Sequence, residues 1–119
     1  MTKLTKAERQ TLDIPATINF EEHPVTLYLM QLSKSSRRPQ LSALKSAIDV
    51  YTKGRDSVWT IDWHNMQYHH MLQLRTLLYE REELAHSTVN RYLSAVRGVI
   101  KECWRLGLID REQYERIRS

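Results

Sequence analysis

Ser87-Thr88-Val89-Asn90-Arg91-Tyr92-Leu93-Ser94-Ala95-Val96-Arg97-Gly98-Val99-Ile100-Lys101-Glu102-Cys103-Trp104-Arg105-Leu106-Gly107-Leu108-Ile109 is the stretch whose reading decides the fold. At about 100° per residue, Val89, Leu93, Val96, Ile100 and Cys103 share one side of a helix. Asn90, Arg91, Ser94, Arg97, Lys101 and Arg105 take the other side. The first set is built for burial. The second offers cations, hydroxyls and an amide, the groups that grip phosphates and read base edges. Ser87 is placed to open this helix and Gly107 to close it, because glycine adopts the left-handed conformation that ends helices.

Working outward, the same apolar period recurs. Pro24 suits a first helical position, where its missing N–H would go unbonded anyway, and Val25, Tyr28, Leu29 and Leu32 supply a buried side. Ser33-Lys34-Ser35-Ser36 breaks that helix. A second helix is expected over 37–53, capped by Ser35 or Ser36, with Pro39 in its first turn and Gly54 as its stop. Leu41, Leu44, Ile48 and Tyr51 repeat along it. Val58, Trp59, Ile61 and Trp63 fit a short strand, but no partner strand is visible elsewhere, so residues 57–65 read preferably as an irregular connection with a helical turn at Trp63. Met71, Leu74, Leu77 and Leu78 mark a third helix over 66–83. After the helix that opens at Ser87, Asp110 caps a short last one, with Gln113 three residues on and Tyr114 and Ile117 inward. Residues 1–22 hold scattered Leu4, Leu12, Ile14, Ile18 and Phe20 around Pro15, which reads as a loosely ordered arm or linker with room for a short helix at its start. The expectation is an all-α bundle over 23–119: four main helices plus a short C-terminal helix.

Composition agrees. The 119 residues suit one domain rather than two, and only three glycines and three prolines favour helices over turn-rich sheets. The net charge of +4 suits an acidic partner. The single cysteine excludes an internal disulfide and a Cys-rich zinc motif, and its place on the apolar side makes Cys103 a core thiol. No apolar run spans a bilayer and no secretory signal opens the chain, so a cytoplasmic location without membrane contact is expected. His64, His69 and His70 lack the i, i+4 spacing of a helical metal pair, so no metal or other cofactor is expected. Trp59, Trp63 and Trp104 are expected to anchor the core, and Tyr68, Tyr79 and Tyr92 to lie in the core or at its rim. No phosphate loop, nucleophile elbow or paired carboxylates suggest catalysis.

A second basic cluster, Lys34-Ser35-Ser36-Arg37-Arg38-Pro39-Gln40 with Lys45 beyond, sits at another helix start. Backbone N–H groups and the helix dipole add to its pull on anions. The candidate DNA-contacting residues are therefore Ser36, Arg37, Arg38, Gln40 and Lys45 on one helix, and Thr88, Asn90, Arg91, Ser94, Arg97 and Lys101 on the other. The expected partner is double-stranded DNA. The alternative is a helical protein–protein interaction module without nucleic-acid binding, which would carry an exposed apolar patch.

Residues 87–101, followed by Trp104-Arg105-Leu106-Gly107-Leu108-Ile109, resemble the final long helix of the core-binding domain of tyrosine recombinases, the family of phage integrases and Xer-type enzymes. The pattern there is approximately S/T-x-x-R-x-L-S-A-L-R, then G-L-I; Val96 stands here where leucine is usual. His23-Pro24-Val25-Thr26-Leu27-Tyr28-Leu29, followed by Ser35-Ser36-Arg37-Arg38, resembles the start of such domains. The resemblance covers roughly residues 23–118. It implies a small SAM-like bundle that clamps a recombination-site duplex, with the helices starting near Ser36 and Ser87 against the major groove. It also implies other recombinase protomers as partners on DNA. That family's His-x-x-Arg catalytic motif is nowhere in these residues, and Tyr114 lacks the setting of a nucleophile. The resemblance therefore implies a DNA-binding, non-cutting piece of a longer recombinase, whose catalytic domain would follow.

Overall fold

A computed structural model describes residues 5–118. Its elements are α1 (Lys6–Thr11), α2 (Pro24–Met30), α3 (Lys34–Thr52), a 3-10 turn (Trp63–Asn65), α4 (Tyr68–Tyr79), α5 (His86–Arg105) and α6 (Arg111–Arg118). The all-α expectation holds, and the described residues contain no strand. α5 is the central rod and packs against α2, α3, α4, α6 and the 3-10 turn. Its role follows from its apolar arc. Val89, Leu93, Val96, Ile100 and Cys103 are all buried, joined by Ala95 and Val99. Each fully buried valine, leucine or isoleucine contributes roughly 1.5–3 kcal/mol against conformational entropy.

The helix ends are chemically specified. After α5, Gly107 has φ +77°, and the Leu108 N–H donates back to the Cys103 carbonyl at 2.9 Å, a Schellman-type closure. Asp110 caps α6 by accepting from the Gln113 N–H at 2.7 Å. Tyr114 and Ile117 of α6 are buried, and the Trp104 ring stacks on Tyr114 at 5.0 Å. Trp63 is buried and its indole N–H donates to the Val58 carbonyl at 2.8 Å, which ties the irregular connection to the core. Burial pushes the Cys103 thiol up to about 12, with the Glu102 carboxylate acting in the same direction.

Three local expectations are corrected. α3 begins at Lys34 after Ser33, so Pro39 lies inside the helix rather than in its first turn. α4 is shorter than expected and ends at Tyr79. Within the expected arm, residues 1–4 lie outside the described residues, but the remainder is docked: Leu12 and Ile14 are buried. α1 is capped by Thr5, whose side chain accepts from the Glu8 N–H at 3.1 Å. Glu8 then pairs with Arg37 of α3. Burial raises the Glu8 pKa, but the Thr5 backbone N–H and Arg37 outweigh that and hold it below the usual carboxylate value.

His23 caps α2 by accepting at Nδ1 from the Val25 N–H at 3.1 Å, and its ring lies 5.4 Å from Trp59. Burial lowers its pKa below 6.5, against a hydrogen bond to the Trp59 backbone. The folded state therefore binds fewer protons than the unfolded chain, so His23 stabilises fully above pH 6.5 and loses that contribution as pH falls through its folded value. Melting temperature is expected to drop between pH 7.5 and pH 5.5. The drop should shrink in His23→Asn, which keeps a capping acceptor without the titration; parallel pH profiles in the two proteins would refute this.

Candidate nucleic-acid interface

The exposed arc of α5 is a single face. Asn90, Arg91 and Ser94 are exposed and Arg97 and Lys101 half-buried on that side. Thr88, two residues before Asn90, is half-buried on the side of Ala95 and Val99, so it does not share the face and its expected DNA contact is withdrawn. No acid occurs between His86 and Lys101. The first one, Glu102, is turned inward: it is buried, accepts from Gln31 of α2 and pairs with Arg105 at 2.7 Å. Arg105 is thereby engaged by that carboxylate, while Arg91, Arg97 and Lys101 keep the face cationic. The Arg91 guanidinium lies 5.8 Å from the Tyr92 ring centroid. Arg97 packs its stem against the bundle, and its Nε is buried without a hydrogen-bond partner.

The amino end of α5 is open. Its cap residue is Ala85, with no side-chain capping bond. Thus the first N–H groups, next to Ser87 and Thr88, add partial positive charge to the same face. The amino end of α3 is similar, since Ser33 makes no side-chain capping bond to the backbone. Its hydroxyl instead contacts that of Ser36 at 2.9 Å.

The α3 candidates do not form one surface. Arg37 is 2% exposed, its Nε donates to the Leu29 carbonyl at 3.1 Å and its Nη1 pairs with Glu8. It is a structural residue joining α1, α2 and α3, and the expectation that it contacts DNA is withdrawn. Arg38 and Lys45 are exposed and border the turn at residues 11–13, where Arg38 donates to the Thr11 carbonyl at 3.4 Å. Gln40 is on the opposite side of α3, half-buried, with the Tyr28 hydroxyl 3.5 Å from its Oε1. The Tyr28 ring also lies against Gly98, so a single tyrosine links Gln40 to the middle of α5.

A cluster beyond the expected residues adjoins the same face. The Tyr79 hydroxyl donates to Asn90 Oδ1 at 3.2 Å. Arg75 lies over the Tyr79 ring at 5.6 Å, and the His86 ring meets it edge-on at 5.2 Å. The i, i+4 spacing of Arg75 and Tyr79 is the sequence signal for part of this cluster; its meeting with α5 depends on tertiary packing.

Among the described residues, no group of three or more His, Cys, Asp or Glu could hold a metal ion, and no helix is long and apolar enough to cross a membrane. No protein-family model matches the chain, and neither a curated protein nor a solved structure matches it. The resemblance to recombinase core-binding domains stands on the quoted residues alone.

Proposed function

We propose that this domain binds double-stranded DNA through α5, as a clamp of the tyrosine-recombinase core-binding type, and that strand chemistry belongs to a catalytic domain outside these residues. The observation that carries the reading is the α5 face: Asn90, Arg91 and Ser94 exposed and Arg97 and Lys101 half-buried on one side, beside an uncapped amino end, with the helix's one acid, Glu102, buried and paired. Cations on such a face neutralise phosphates and release counterions, so affinity falls steeply with salt. From α3, Gln40 is half-buried against Tyr28, whose ring also covers Gly98 in the middle of α5, so it adds no exposed group to that face. Arg38 and Lys45 would contribute from a separate side of that helix. On paired sites, other protomers of the same protein are the expected neighbours.

The test is fluorescence anisotropy on a random duplex across a salt series. Arg91→Ala and Arg97→Ala are each expected to weaken binding and to reduce the log–log salt slope by about 1. Unchanged affinity and slope in both variants would exclude this face. A second reading, a protein-docking module, is favoured by one observation: Tyr68, Leu72 and Tyr79 lie exposed along one stripe of α4. It expects partner association that persists at high salt, with no retention of the duplex.

A further inference from the structure

We infer that Tyr79 is a positioning residue for Asn90, holding its amide so that a nucleic acid meets its N–H donors ahead of the carbonyl. The inference rests on the reading of α5 as the DNA face. An asparagine on an exposed helix surface is ordinarily free to turn its amide over. Here Oδ1 faces Tyr79 and accepts its hydroxyl proton at 3.2 Å. The tyrosine is itself held from two elements, by Arg75 of α4 over its ring and by His86 of α5 at its edge. The amide nitrogen is then the end directed away from Tyr79.

The consequence is a restricted chemical choice. A bidentate contact to adenine in the major groove needs both an amide oxygen and an amide N–H from one side chain. With its oxygen engaged by Tyr79, Asn90 favours acceptors: purine N7, guanine O6, thymine O4 or a phosphate oxygen. Tyr79 thus shapes which base is preferred without touching it and without adding charge. Arg75, stacked on the same ring, places a cation at the margin of the Asn90 site.

The experiment is selection from a randomised duplex pool by the wild-type domain, Tyr79→Phe and Asn90→Ala. Anisotropy on a random duplex and a thermal melt are run alongside. The wild type is expected to prefer a base at one position or more. Tyr79→Phe, whose ring still packs with Arg75 and His86, should change the preferred base at one of those positions. Its salt slope on a random duplex, which counts the phosphates neutralised, reports whether the cationic face of α5 is still engaged. Asn90→Ala should lose the preference at that same position. Identical preferences in wild type and Tyr79→Phe would overturn the inference. So would Asn90→Ala selecting the wild-type base, which decides the matter even if Tyr79→Phe lowers the melting temperature. A wild type that binds duplex without any base preference overturns this inference and leaves the DNA reading standing. A wild type that binds no duplex removes both.

Discussion

Arg37→Ala is expected to destabilise the domain by on the order of 3 kcal/mol, a drop in melting temperature of roughly 10 °C. Arg38→Ala, its sequence neighbour, should stay within about 0.5 kcal/mol of the wild type. The difference comes from surroundings, since the two side chains are chemically the same. Arg37 is 2% exposed and fills the junction of three helices. Truncation leaves the Leu29 carbonyl without its guanidinium donor, Glu8 without its cation and a void where a long side chain was packed. Arg37→Lys should recover only part of the loss. A lysine brings one point charge and cannot donate in two directions from a planar fork. Urea unfolding of the three variants checks the order Arg38→Ala above Arg37→Lys above Arg37→Ala. Equal midpoints for the two alanine variants would show that α1 is not held in this way.

Gly98→Ala is expected to cost a net of about 1–2 kcal/mol, although alanine is the better helix former by about 1 kcal/mol. A methyl group built on Gly98 would lie 2.8 Å from Tyr28 Cδ1 and closer still to Cε1. No packed pair of carbons tolerates that approach, so either α2 lifts from α5 or the tyrosine ring leaves its place over the helix. A double-mutant cycle isolates the cause. In a Tyr28→Ala background the clash is gone, and Gly98→Ala should turn from destabilising to stabilising. If Gly98→Ala stabilises the protein with Tyr28 intact, the close approach of α2 and α5 is wrong. The same ring reaches Gln40, so its displacement would also disturb the link between α3 and α5.

Local patterns made much of this architecture readable from the chain. The buried side of α5 follows from spacing alone, and the roles of Gly107 and Asp110 follow from backbone chemistry at helix ends. Arg37 shows where such reading fails. In sequence it is one cation in a basic run, indistinguishable from Arg38. What separates them is Glu8, 29 positions earlier, in a segment whose apolar residues have no regular period. Leu12 and Ile14 have the same difficulty, since two isolated aliphatics carry no signal until another helix covers them. The division of the α3 candidates was hidden for a different reason. Helical angle separates Gln40 from Arg38 and Lys45, but only the neighbours of each side, Tyr28 or the turn at 11–13, decide what each can reach. Tyr79 was readable only as a core or rim residue because its hydroxyl partner belongs to the next helix.

Cys103 has a practical consequence. The thiolate is the form that attacks maleimides and iodoacetamides. This thiol is fully buried and held in its protonated form across the neutral range. It is also the only cysteine in the chain. The native protein therefore serves as a silent background for site-directed labelling. A Ser94→Cys substitution would carry a fluorophore or spin label on the exposed side of α5, with no need to remove the native sulfur first.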